Sequence, residues 1–176
     1  MVNKWDLMYM DIAKRVSIES KCAAKQVGCI IEKDTNILAV GINGTASGKE
    51  NCCDKFMKRD GKWYKKHSTL GKGMKNIFDP WGWELCEDQE EHHKWSLIHE
   101  IHAEMNAIAK AHKNGVSIEG ATAYITYSPC FNCAKQLITH GIKHIVFDKE
   151  YDGFNETLKL LENHDVEVIN INNKGE

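Results

Sequence analysis

His102 and Glu104, two apart, and Cys130 and Cys133, three apart behind Pro129, are the residues whose types and spacing could do chemistry. A catalytic zinc takes three protein ligands and keeps a fourth position open for water. One imidazole and two thiolates would fill the three, and the thiolate charges would balance the metal's own. Water at such a centre is acidified yet remains nucleophilic. Glu104, a carboxylate outside the ligand set, could then carry protons. Taken singly, the Cys-x-x-Cys pair could be a redox couple or half of a structural zinc site, and His-x-Glu arises often by chance. With Pro129 before the first cysteine and helical patterns after both halves, the combination points to metal-assisted hydrolysis.

These residues need elements to hold them. Trp5, Met8, Tyr9, Ile12, Ala13 and Val16 recur at helical spacing over residues 3–20. The apolar run Val27 to Ile31 has strand character, and a turn at Asp34 to Asn36 leads to a hairpin partner over Ile37 to Ile42. A helix is expected near 101–113, with Ile101, Met105 and Ile108 on one face, followed by a strand at Thr122 to Tyr127. Next come a helix at 130–140 ended by Gly141, a strand at His144 to Phe147, a short helix near 155–163 and a strand at Val166 to Asn170. Strands alternating with helices after the first hairpin predict an α/β sandwich whose sheet is at least partly parallel. On this layout His102, Cys130 and Cys133 fall in the first turns of their helices. Partial positive charge there favours the thiolate, and a spacing of three puts both sulfurs on one helix face.

Residues 44–99 read differently: Gly, Lys, Trp, Cys and His crowd in and no period is sustained. So long an irregular stretch inside a compact domain is usually functional or internally tethered. At 176 residues the chain is expected to be a single domain over 1–176, with an insertion at about 44–99. A formal charge of −2 provides no polyanion-binding field, which argues against a nucleic-acid partner. No apolar run reaches membrane-spanning length, so no membrane partner is expected. Met1 to Asp11, interrupted by Lys4, Asp6 and Asp11, lacks the layout of a signal peptide. Seven cysteines, an odd count, favour reduced thiols and metal ligation over a disulfide framework, and so a cytosolic compartment.

The pattern His102-x-Glu104 followed by Pro129-Cys130-x-x-Cys133 matches the signature of zinc-dependent nucleobase deaminases. In more detail, Ile101 to Ile108 and Ser128 to Lys135 resemble the deoxycytidylate (dCMP) deaminase branch of the cytidine deaminase superfamily, above all its virus-encoded type. The pattern recurs at Ser20-Lys21-Cys22, Val27 to Ile31, Gly41 to Gly44, Asn51 to Asp54, Ser117 to Thr122 and Tyr151-Asp152, so that the resemblance covers roughly residues 5–152. It implies a three-layer α/β/α sandwich around a five-stranded mixed sheet, with a long zinc-clipped insertion. It also implies a zinc-activated hydroxide attacking C4 of the pyrimidine, with His102, Cys130 and Cys133 as ligands and Glu104 as the proton shuttle. The Gly-x-Asn-Gly element resembles the family's sugar-binding loop, which puts Asn43 at the 3′-hydroxyl. Tyr151 is implied near the base or phosphate, and Val27 and Ser128 join the substrate contacts. The chain departs from the family at Ile42, where Tyr is frequent, and at Thr45 to Gly48, where the family has a proline.

Further consequences rest on the same resemblance. Virus-type relatives carry a second zinc in the insertion, and the matching ligands here are Cys22, Cys52, His92 and Glu100, with Cys86 and His93 as alternatives. A closed metal site would order an insertion with little hydrophobic periodicity. The resemblance also implies a homo-hexamer activated by dCTP and inhibited by dTTP, with magnesium accompanying the effector. It implies supply of dUMP for dTMP synthesis, in the host cytoplasm for a virus-encoded chain. Lys110 and Lys113 could face a neighbouring subunit or a triphosphate. Three other readings compete. A nucleic-acid deaminase such as a tRNA adenosine deaminase would use the lysine-rich tract Lys55 to Lys75 with Trp63 and Tyr64. A deaminase of free cytidine or deoxycytidine is the second, and a zinc-stabilised binding module without catalysis is the third. Glu104 speaks against the last, since nothing structural requires a carboxylate there.

Overall fold

The computed structural model describes residues 2–66 and 82–173. The chain divides into two compact units, one of Met1–Ser20, Gln26–Asn43 and Ile101–Glu176, the other of Lys21–Lys25 and Gly44–Glu100. In chain order the elements begin with α1 (Lys4–Ser17), β1 (Gly28–Lys33) and β2 (Asn36–Ile42). The second unit follows with β3 (Gly44–Thr45), α2 (Cys52–Lys55), β4 (Phe56–Arg59), β5 (Lys62–Lys66), β6 (Trp83–Leu85) and α3 (Glu90–His99). After β7 (Glu100–Ile101) come α4 (Ala103–Lys113), β8 (Thr122–Tyr127), α5 (Phe131–Thr139), β9 (His144–Lys149), α6 (Phe154–Glu162) and β10 (Glu167–Asn170).

The first unit is built on a five-stranded sheet of order β10-β9-β8-β1-β2. β1 runs antiparallel to β2 and β8, while β9 runs parallel to β8 and β10, which makes the sheet mixed. Side chains alternate between faces along a strand, and the two faces meet different helices. Ile30, Tyr124 and Val146 pack with Tyr9, Met10 and Ala13 of α1. Cys29, Ile31, Ala123, Ile125, Ile145 and Phe147 pack with α4, α5 and α6 through Ala107, Leu137 and Leu161 among others. The result is the three-layer α/β/α sandwich that the sequence implies. α1 starts where Asn3 Oδ1 accepts from the N–H of Trp5 and Asp6, while the Asp6 carboxylate accepts from the Asn3 N–H, a reciprocal cap.

Two glycines set how closely helices approach the sheet. A Cβ on Gly41 would lie 2.0 Å from the Ala103 carbonyl oxygen and 2.6 Å from the Ala107 nitrogen. A side chain there would push the first turn of α4 off the sheet. Asn106 adds a clamp by donating to the Ile42 carbonyl at 2.8 Å. Gly28 does the same for α1, with a Cβ position 2.2 Å from the Ala13 carbonyl oxygen. The β1–β2 turn places Asp34 and Thr35 at φ of 51° and 66°. Thr35 is β-branched and ill suited to that region; its N–H is held by Glu32 at 2.6 Å and its carbonyl by the Tyr9 hydroxyl at 2.9 Å.

The second unit has more regular structure than its sequence suggests. β4, β5 and β6 form an antiparallel three-stranded sheet, and α3 contributes a further helix. Among the described residues its buried apolar cluster is small: Cys22, Cys52, Phe56, Trp63 and Cys86, with Ala23 and Trp95 packed against it. Three of those five side chains are cysteines. The part of the lysine-rich tract beyond Lys66 lies outside the described residues. Among the described residues, no helix is long and apolar enough to cross a membrane.

Candidate functional site

Two helix starts assemble the first cluster. His102 and Cys130 are the residues immediately before α4 and α5, both with extended backbone, and neither side chain caps its own helix. Cys133 lies one turn into α5. His102 Nδ1 stands 3.5 Å from Cys130 Sγ and 3.4 Å from Cys133 Sγ. Tetrahedral zinc, with bonds of about 2.0 Å to nitrogen and 2.3 Å to sulfur, holds such atoms about 3.5 Å apart. The three donors therefore fit a zinc ion. Donation from the Cys133 thiol, and then from His102, pulls the Cys130 thiol down to about 4, so the pair shares a proton that a divalent cation would replace.

Glu104 sits in the first turn of α4 and is 4% exposed. Burial raises its carboxyl above the usual range, while His102 acts in the opposite sense and Cys133 lies within hydrogen-bonding reach. The carboxyl is thus beside the three donors without belonging to them. Next to Cys130 a cleft of about 280 Å³ is lined by Phe131, Tyr151, Asp152, Phe154 and Glu156 among others. Tyr151 lines this cleft, and its backbone N–H is held at 2.9 Å by Ser128 Oγ, which is fully buried. Ser128 therefore shapes the cleft through Tyr151. Asn43, at the end of β2, is 9% exposed and exchanges bonds with the Val27 backbone.

A second cluster lies wholly in the other unit. Cys22, Cys52, His92 and Glu100 each direct one donor atom into a group whose members all lie within 4.8 Å of one another. Cys52 Sγ is 3.3 Å from His92 Nε2, and Cys22 Sγ is 3.3 Å from Glu100 Oε2. These spacings again suit tetrahedral zinc. The Glu100 carboxyl is raised to about 7, first by burial and then by the charge of Cys22, and its Oε1 is buried without a hydrogen-bond partner among the described residues. A cation at the cluster would satisfy both conditions. Two neighbours that the sequence did not single out for this cluster hold it in place. Ser96 Oγ donates to Glu100 Oε2 at 2.8 Å, and the Trp63 ring stacks on His92 at 4.3 Å. Ser96 could have been found from its position four before Glu100 on a helix; Trp63 carried no local signal. Of the alternative ligands, His93 is exposed and Cys86 is buried in the same core without joining the group.

A model of the cytidine and deoxycytidylate deaminase zinc-binding region matches residues 3–149. The deoxycytidylate deaminase of Enterobacteria phage T4 is 40% identical over 175 residues, covering 94% of this chain and 89% of the relative. The dCMP deaminase of cyanophage S-TIM5, solved in complex with dCMP and dUMP, superposes with a TM-score of 0.67 at 30% identity over 97% of this chain and 98% of that one. The diaminohydroxyphosphoribosylaminopyrimidine deaminase/reductase of Thermotoga maritima shares the fold alone, at 20% identity and a TM-score of 0.54 over 94% of this chain and 37% of that one.

Proposed function

The chain belongs to the cytidine and deoxycytidylate deaminase family, and on that premise we propose that it hydrolyses dCMP to dUMP and ammonia. The observation that carries the proposal is the convergence of His102 Nδ1 and two thiols at 3.4–3.5 Å, with the buried Glu104 beside them. His102, Cys130 and Cys133 hold the catalytic zinc, which supplies a Lewis acid with one coordination position for water. Glu104 takes one proton from the attacking water and passes it to N3 of the pyrimidine, then takes the proton of the new C4 hydroxyl and delivers it to the departing amino group. Its burial suits a carboxyl that must hold a proton between these steps. Asn43 contacts the sugar 3′-hydroxyl and Tyr151 the base or phosphate, with Val27 and Ser128 behind them.

Cys22, Cys52, His92 and Glu100 hold a second, structural zinc that orders the insertion. The enzyme works as a homo-hexamer in the cytoplasm and supplies dUMP for dTMP synthesis. It is activated by dCTP and inhibited by dTTP, each taken with magnesium. Lys110 and Lys113 are exposed at the far end of α4 from His102, where they are open to a subunit or a triphosphate. A nucleic-acid substrate is disfavoured because Trp63, the aromatic anchor of the lysine-rich tract, is buried against His92.

The zinc-loaded protein is expected to bleach cytosine absorbance with dCMP at least tenfold more efficiently than with cytidine, deoxycytidine or a cytosine-containing oligonucleotide. Equal efficiency on the free nucleosides would reassign the substrate. Effectors shift a conformational equilibrium only by binding one state better than another. Sigmoidal dCMP curves that dCTP moves to lower and dTTP to higher substrate concentration are therefore expected, with a hexameric mass in solution. Hyperbolic curves unmoved by either nucleotide would defeat the regulatory claim, and a monomeric mass the assembly claim.

A further inference from the structure

We infer that His112 and His140 form a two-imidazole site for a divalent transition-metal cation of the nickel, copper and zinc group. His112 is exposed in the last turn of α4, and His140, half-buried, closes the end of α5. Their ring centroids stand 4.8 Å apart, with the planes at 49°. Two imidazoles on one ion, with bonds of about 2.0–2.1 Å and ligand angles of about 90–109°, hold their centroids about 4.5–5.3 Å apart. The observed spacing falls inside that window. Both residues belong to the first unit, at the ends of α4 and α5 away from His102 and Cys130.

The surroundings of the pair suit a cation. His140 Nδ1 lies 2.7 Å from the Gln136 carbonyl oxygen, which can only accept, so Nδ1 carries the hydrogen. In the neutral ring that leaves the lone pair on Nε2. Metal-ligating histidines are commonly fixed in this way, with the other ring nitrogen donating to a backbone carbonyl. The backbones are held as well: the His140 N–H bonds the same Gln136 carbonyl, and the Gly115 N–H bonds the His112 carbonyl, both at 3.0 Å. Two helices end at the pair, and the partial negative charge of each C-terminus favours a cation there. Lys110 and Lys113 in the last turn of α4 act in the opposite sense, but both are exposed and screened. Among the described residues no third histidine, cysteine or carboxylate joins the two in a donor group. Water therefore completes the coordination, and affinity is micromolar, far weaker than a thiolate cluster provides. An ion bridging the rings ties together the far ends of the two helices whose starts carry His102 and Cys130.

The test titrates Ni2+ into the zinc-loaded full chain at about pH 8, where imidazoles are neutral. Calorimetry should show one nickel ion bound per chain at micromolar strength, with the zinc content unchanged. His112→Gln and His140→Ala should each weaken that binding about tenfold or more. The double variant should bind no more weakly than either single one, because the two rings act as one unit. In about 1 mM nickel the wild-type melting temperature should rise by about 3 °C, and neither variant should follow it. His112 is exposed, so His112→Gln keeps the fold and decides the matter even where His140→Ala is unstable. Nickel binding unchanged in His112→Gln would place the ion elsewhere and overturn the site. A wild-type protein that takes up no nickel, or takes it up only as zinc is released, would overturn it equally.

Discussion

Glu104→Ala is expected to keep its zinc and its fold while losing deamination by about 10²–10⁴-fold or more. Zinc should stay because the ligand set, His102 Nδ1 with Cys130 and Cys133, does not include the carboxylate. The fold should stay because Glu104 occupies the first turn of α4, where alanine is a strong helix former. Removing the side chain also relieves the burial that now raises its carboxyl. What disappears is the proton carrier. Attack at C4, protonation of N3 and departure of ammonia each need a proton moved at the same place, and no other described carboxyl shares the cluster of three donors. Glu104→Gln, similar in shape and unable to exchange a proton, should be impaired to a comparable degree. Metal analysis, melting temperature and single-turnover rates on dCMP decide the matter. Appreciable turnover by either variant, zinc-loaded and folded, would remove Glu104 from the proton path.

The legible parts of this molecule are those where one physical signal dominates. Val27 to Ile31 reads as a strand because it is apolar throughout, and β1 is indeed buried on both faces, by α1 on one side and by α4 to α6 on the other. The helix after His102 is legible from the spacing of Met105 and Ile108, but Ile101 lies before it and is exposed, and the face that the helix buries is Ala103, Ala107, Ile108 and Ala111. The insertion gives no such signal, since β4 and β5 each bury a single side chain, Phe56 and Trp63, and the cluster they enclose is largely sulfur. One local clue was nevertheless present. Asp60-Gly61 stands between two short strands with φ of 51° and 75°. Asp-Gly at a two-residue connection is a strong hairpin signal, because both positions require positive φ. The tightness of the catalytic region is legible only in part. Gly41 was visible as a motif residue, but that its missing Cβ admits the Ala103 carbonyl is a tertiary fact.

Cys52→Ser is expected to reduce zinc from two ions per chain to one and to lower the melting temperature by about 10 °C. Cys52 is 1% exposed, lies 3.3 Å from His92 Nε2 and accepts the Ala23 N–H at 3.3 Å. Serine has the same shape but offers a hydroxyl that ionises far less readily than a thiol and binds zinc poorly. The remaining donors, Cys22, His92 and Glu100, would then face one another with a ligand missing. The consequence reaches past the cluster because little else among the described residues holds the unit. Among the described residues its other large buried apolar side chains are Phe56 and Trp63, and the ring of each lies against His92. When so much of a core packs on a metal ligand, metal affinity becomes folding free energy. The catalytic donors belong to the other unit, so that zinc should survive. Cys53→Ser tests the neighbouring thiol, which is exposed and outside the group, and it should retain both ions. Freshly prepared wild-type protein with a single zinc would refute the second site. A Cys52→Ser protein with two zinc ions and an unchanged melting temperature would remove Cys52 from it.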